Sequence, residues 1–193
     1  MHKTRWSLIL MLFGLSVWMP VMATETDDGL GLWVETQVVS RNPSRVMGWY
    51  EKDFTDSIGF FAFAEKESDG YRQFYVGPTW KPTEWLKLGA GIGREVVPGE
   101  FSSVRRGLFF DANWRKINFF GAFESGASGR WHKITGTYAL TESVGAGLMH
   151  ETGLGLGPRF EYNIKKDVQV WGALLRNPTT KESTTVFAIN FSF

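Results

Sequence analysis

The chain ends Val186-Phe187-Ala188-Ile189-Asn190-Phe191-Ser192-Phe193. Thr185, Phe187, Ile189, Phe191 and Phe193 share one parity, while Asn190 and Ser192 fall on the other. Successive side chains of a strand point to opposite faces, so a period of two marks a strand with one apolar face. The signature recurs upstream. Leu154, Leu156, Pro158, Phe160 and Tyr162 alternate with Gly155, Gly157, Arg159, Glu161 and Asn163. Leu86, Leu88, Ala90 and Ile92 alternate with Lys87, Gly89, Gly91 and Gly93. Leu108, Phe110, Ala112 and Trp114 alternate with Arg105, Gly107, Asp111 and Asn113, with Phe109 breaking the polar parity. No long segment keeps the 3.6-residue period of a helix.

Turn-forming clusters separate these runs. They fall near residues 41–44, 52–56, 67–70, 81–84, 98–103, 115–116, 125–129, 141–143, 151–153, 165–167 and 177–183. Eleven breaks predict twelve strands of about ten residues each. Residues 45–51 and 57–66 alternate poorly, which leaves ten strands as the alternative.

Composition narrows the class. The 193 residues include 16 Phe, 9 Trp and 22 Gly, with no Cys. A 43% hydrophobic share is too low for a bundle of membrane helices, and 16% aromatic is too high for a disordered chain. Without Cys there is no disulfide scaffold and no thiolate metal site. Twenty-one basic against 20 acidic residues argue against a nucleic-acid partner, which would need a basic excess.

Residues 1–23 read as a secretory signal peptide. Lys3 and Arg5 precede the apolar stretch Leu8–Met19, and Val21-Met22-Ala23 ends it with a small residue suited to cleavage. Gly14 and Pro20 interrupt the run, which is short for a spanning helix. The expected mature barrel is 24–193. Loss of Lys3 and Arg5 takes the formal charge from +1 to −1.

Alternation also suits a soluble sandwich, but three features favour a membrane barrel. Runs of about ten residues match a tilted strand crossing a bilayer. Aromatics cluster at run ends: Trp80 and Trp85 flank one turn, and Trp114, Tyr138 and Tyr162 precede others, as in an interfacial girdle. The third is the C-terminal strand, which resembles that of Gram-negative outer-membrane β-barrel proteins. The resemblance implies an all-β, antiparallel transmembrane barrel in the outer membrane, reached by export. It also implies that Phe187, Ile189, Phe191 and Phe193 serve the barrel-assembly machinery as an assembly signal. In hydrocarbon every backbone polar group needs an internal partner, so the sheet must close. Both termini and the even-numbered turns are then expected to be periplasmic, with short turns on both sides.

With the apolar parity toward lipid, the other parity faces a lumen. The expected lining is Glu35, Lys87, Glu95, Arg105, Asp111, Glu124, Lys133, Glu151, Arg159 and Glu161, together with Gln37 and Asn113. Pairing around Gly99 and Glu100 sets Glu95 opposite Arg105 and Lys87 opposite Asn113. Such neighbours lie about 5 Å apart, close enough for ion pairs. Gly89, Gly91, Gly93, Gly107, Gly145, Gly147, Gly155 and Gly157 on this parity leave room for a lumen, or accommodate large neighbours such as Phe109 or Trp171. A narrow porin-like channel transporting small polar solutes is the leading reading, against a filled barrel. Twelve strands fall between the side-chain-filled small barrels and the open porins.

Catalysis finds little support, and the sequence favours a non-enzyme. His132 and His150 fall on adjacent strands with outward parity near the far rim, with Ser125 on the strand before. Pairing around Thr141 sets the two histidines opposite each other. A Ser125–His132 couple could attack an acyl ester, which makes an outward-facing lipid-modifying enzyme the first alternative. The nearest acids, Glu124 and Glu151, have the opposite parity, so the orienting third group is missing. The plainer reading has the histidines and Arg130 meeting outer-membrane lipids and lipopolysaccharide headgroups. An acid-based protease would need several inward carboxylates at the outer rim, where only Glu124 and Glu151 are expected. No metal site or cofactor is expected. The Gly-rich runs 89–93 and 153–157 alternate within strands and precede no helix, so they are not nucleotide loops. A structural barrel anchoring an envelope complex is the remaining alternative.

Overall fold

The computed structural model describes residues 30–193, so the expected signal segment 1–23 lies outside the described residues. Twelve strands follow in order: β1 (Leu30–Val39), β2 (Arg45–Asp53), β3 (Ile58–Glu67), β4 (Arg72–Thr83), β5 (Leu86–Val96), β6 (Ser103–Trp114), β7 (Ile117–Gly126), β8 (Gly129–Ala139), β9 (Val144–Glu151), β10 (Gly155–Lys165), β11 (Val168–Arg176) and β12 (Ser183–Ser192). Each pairs antiparallel with its sequence neighbours, and β1 pairs with β12, so the sheet closes. Closure sets Val34 opposite Phe191 and Val38 opposite Phe187. The ten-strand alternative fails because β2 and β3 are full strands, paired from Arg45↔Glu67 to Asp53↔Gly59. Their alternation was weak because both faces are apolar: Val46, Phe60 and Ala62 face out while Met47, Trp49, Phe61 and Phe63 face in.

The exterior carries Val46, Phe74, Ile92, Leu108, Leu148 and Phe160, all exposed. Below them, toward the end that bears both termini, Trp80, Trp85, Trp114, Tyr138 and Tyr162 ring the wall. An apolar band edged by aromatics is the surface of a membrane-spanning barrel, since lipid exerts no cost on apolar side chains. All connections are short. The longest, 97–102 and 177–182, sit at the far end, opposite the termini.

Two hairpin registers differ from expectation by two residues. Glu95 lies opposite Ser103, Arg105 opposite Gly93, and Lys87 opposite Asp111. The chain turns at Pro98–Gly99, where Glu100 N–H donates to the Val97 carbonyl (3.0 Å) and Gly99 takes φ +82°. Proline then glycine at the centre suits a type II turn and moves the hairpin centre back. In β8–β9, His150 faces Ile134 rather than His132. Thr141 opens this turn instead of centring it, its hydroxyl accepting the N–H groups of Ser143 (3.2 Å) and Val144 (3.0 Å). Leu154 is also displaced from its expected outward parity. It sits in the β9–β10 turn between Gly153 and Gly155, both at positive φ, and is buried inside the barrel.

Candidate functional site: the barrel lumen

The inner wall is divided. On the β2–β7 side, Trp49 stacks on Phe61 (centroids 4.9 Å) and meets Phe109 edge-on (4.8 Å), and Phe63 and Tyr75 complete the cluster. The glycines of β5 and β6 lie under these rings. A Cβ on Gly89 would stand 1.9 Å from the Phe109 ring, and those on Gly91 and Gly107 would press on Phe61 and Tyr75. The space left by these three glycines is therefore filled by aromatic rings, not by open lumen. A second cluster, around Trp171, Met149, Leu175 and Val186, packs the β9–β12 side.

Between the clusters lies a cavity of about 430 Å³ whose wall mixes charged and aromatic side chains. Glu35, Glu51, Glu65, Asp111, Glu124 and Glu161 line it against Arg45, Lys133 and Arg159. It shares Asn118, Thr137, Glu161 and Gln169 with a smaller vestibule of about 220 Å³ at the terminus-bearing mouth. At the far mouth a vestibule of about 170 Å³, lined by Glu67, Trp131 and Leu154, meets it at Arg45. Arg45 on β2 reaches across the barrel to Glu151 on β9 (2.5 Å), while also lying 3.7 Å from Glu65 and donating to Gln37. This strut separates the cavity from the far vestibule.

Next to the strut, Arg105 bridges Glu95 (2.8 Å) and Glu124 (2.7 Å) and donates to Ser128 (2.7 Å). Glu95 and Arg105 are almost wholly buried, at 1% and 3% exposed. Although the register sets them diagonally, the long arginine side chain still reaches, as diagonal neighbours allow. Tyr71 in the β3–β4 turn donates to Glu95 (3.1 Å). Burial pushes its hydroxyl above the ordinary tyrosine value, so it remains a protonated donor. Deeper in, Tyr75 donates to Glu124 (2.8 Å) and Trp171 donates to Glu35 (2.7 Å). Arg159 lies 3.8 Å over the Trp171 ring and Lys133 lies 5.1 Å from it, both within cation–π range. Arg159 also pairs with Glu161 (2.7 Å). Near the lower mouth, Lys87 pairs with Glu51 rather than with its cross-strand neighbour Asp111, which accepts from Asn118 (2.8 Å). Asn113 sits exposed at that rim, bonded to Asn118.

Parity alone missed Arg45, Glu51 and Glu65, although Arg45, Met47, Trp49 and Glu51 share one parity. The apolar outward face of β2 and β3 hid them. Far-rim carboxylates are correspondingly more numerous than expected, since Glu65, Glu67 and Glu95 join Glu124 and Glu151. They face arginines, and the two described histidines face away from them.

His132 and His150 stand on the outer wall, their rings stacked at 4.8 Å and 12° despite the diagonal register. His132 Nδ1 lies 2.9 Å from the Thr152 hydroxyl. Ser125 lies opposite Arg130 and diagonal to His132, whose ring nitrogen meets the Thr152 hydroxyl, and among the described residues no hydrogen bond joins Ser125 to an imidazole. Among the described residues, no three His, Asp or Glu side chains gather as a metal-holding group.

Neither a known protein family nor a curated protein matches the sequence. Solved structures do match its fold. The KdgM porin in complex with disordered oligogalacturonate superposes with a TM-score of 0.55 at 11% identity, over 84% of this chain and 99% of that one. The NanC porin gives 0.52 at 12%, over 84% and 98%. Omp33, an outer-membrane protein of Acinetobacter baumannii, gives 0.51 at 11%, over 86% and 98%. The chain thus has the all-β barrel fold of Gram-negative outer-membrane porins, closed here by twelve strands.

Proposed function

We propose that the protein is a narrow outer-membrane channel for small hydrophilic solutes, with a preference for cations. The observation that carries this reading is the charge-bearing cavity of about 430 Å³, which shares lining residues with the terminus-bearing mouth. A barrel serving only as an anchor gains nothing from a cavity with carboxylates left outside its ion pairs. Selectivity follows from the lining, because rings of carboxylates in a narrow pore favour cations. Glu35 accepts from Trp171 and Gln37 and stands within electrostatic reach of Lys133, and Asp111 accepts from Asn118; among the described residues neither forms an ion pair, so both carboxylates can act on solutes. One fold neighbour was solved with an oligogalacturonate, a polyanion. The acid-rich cavity here argues for cargo of the opposite sign. β1 begins and β12 ends at the mouth we read as periplasmic.

Planar-bilayer recording of pure refolded protein tests this. Discrete conductance steps are expected, with a reversal potential under a KCl gradient on the cation side. Glu35→Gln with Asp111→Asn should move that potential toward zero. Absence of steps from correctly folded protein would reject the channel, and anion preference would reject the role given to the carboxylates.

A further inference from the structure

Charge at the far end of the barrel is sorted by face. Glu65, Glu95, Glu124 and Glu151 turn inward and are buried. Lys66, Arg72, Arg94, Arg106 and Arg130 turn outward and are exposed. Among the described residues no ion pair involves any of these five. Lys66 even lies directly opposite Arg72, a like-charge pair that disfavours the sheet unless an anion intervenes.

The pattern sharpens on β5–β8. Cross-strand pairing aligns Ile92, Arg106, Ser125 and Arg130 in one row. The next row toward the termini is Ala90, Leu108, Phe123 and His132. Together these rows line an exterior groove of about 530 Å³. Its upper wall offers two guanidinium groups flanking a hydroxyl, and its floor is apolar. The ring ladder Phe123–His132–His150 closes one side. On the other side of the ladder a second groove of about 360 Å³ runs past Ile134, Leu148 and Leu156. Cations above and apolar furrows below match an amphiphile with an anionic head and acyl tails, standing in the same leaflet as the far rim.

We propose that this face is a binding site for a phosphorylated, acylated glycolipid of the outer leaflet. One phosphate lies between Arg106 and Arg130 with the Ser125 hydroxyl, held by charge-assisted hydrogen bonds. One acyl chain lies along Ala90, Ile92, Leu108 and Phe123. A second phosphate meets Arg94 and Arg72, which stand one and two rows nearer the far end on β5 and β4, so the basic strip is wider than one phosphodiester requires. Asp69 in the β3–β4 turn, three residues from Arg72, and Glu100 in the β5–β6 loop are the nearest exposed carboxylates by sequence, and among the described residues no ion pair joins either to these arginines. The site is independent of whether the lumen conducts.

Native mass spectrometry of the detergent-solubilised barrel titrated with lipid A tests the assignment. Wild type should retain lipid A, and Arg106→Ala with Arg130→Ala should weaken retention by at least about ten-fold, one such contact being worth about that factor. Arg176→Ala, outward on β11, should leave retention unchanged. Ala90→Phe, which fills the groove while keeping every charge, should also weaken it and guards against a folding defect in the arginine variant. Dephosphorylated lipid A should bind wild type no better than intact lipid A binds the double variant. Equal retention by wild type and double variant would overturn the site. Equal retention of phosphatidylglycerol and lipid A would overturn the glycolipid assignment.

Discussion

Gly89 is the residue on which the aromatic half of the interior depends. Its missing side chain is the space in which the Phe109 ring lies, with a hypothetical Cβ at 1.9 Å from that ring. Gly89→Val would drive Phe109 into Trp49 and Phe61, which already contact it at 4.8 and 5.0 Å. Overpacking of this kind costs about 1–3 kcal/mol, read as a lower urea midpoint for the barrel in detergent. Phe109→Ala should partly rescue it, because contacting residues couple where distant ones add. Strict additivity in the double variant would show that the glycine is needed for something other than this ring. At this scale the sequence was only half legible. Parity placed Gly89 and Phe109 on the same inner face, but it could not say that one fills the other's space. Trp49, Phe61 and Phe63 were less legible still, because strands apolar on both faces carry no contrast to read.

Strands and turns were the most legible level, and the reason is physical. Each of the twelve must present an apolar face to lipid, so alternation persists along the whole chain, and every break except Thr141–Ser143 carries Gly, Pro, Asp or a charged pair. Register was not legible in two hairpins. A slip of two residues preserves every side chain's face, so the hydrophobic pattern is blind to it, whereas a slip of one would invert both faces. Only the turn chemistry of Pro98–Gly99 and Thr141 decides between the registers. The last strand carries a further expectation. Phe187, Phe191 and Phe193 face outward, and Phe193 N–H still bonds to the Leu32 carbonyl (2.8 Å) at the seam with β1. Deleting Phe193 removes that bond, the return bond from Leu32 N–H to the Phe193 carbonyl (3.4 Å) and one exposed ring. Refolding into lipid vesicles should then be nearly unchanged, while assembly in cells, followed by heat-modifiable gel migration, should fall sharply. Equal loss in both assays would mean that the residue stabilises the barrel and is not an assembly signal.

Across the whole molecule, the closed sheet lets one chain hold two opposed charge fields. Carboxylates collect inside and arginines outside at the far end, with Arg45 and Arg105 as inward exceptions that neutralise the buried acids. The two exceptions differ in reach. Arg105 ties only neighbouring strands, from β5 to β7, and so stiffens one wall. Arg45 ties β2 to β9 across the lumen and therefore obstructs it. Together with Trp131 it lines both the cavity of about 430 Å³ and the far vestibule of about 170 Å³, so it stands between these two spaces. Arg45→Ala joins the two spaces and also frees Glu151 and Glu65 to repel one another. Single-channel conductance should rise, by roughly two-fold or more if this constriction dominates the resistance, and cation preference should strengthen because a fixed positive charge leaves the pore. Arg105→Ala removes the same charge without opening the path, so it should shift selectivity while leaving conductance near the wild-type value. If the two variants changed conductance alike, the effect would come from charge alone, and Arg45 would not be the obstruction its position across the lumen implies.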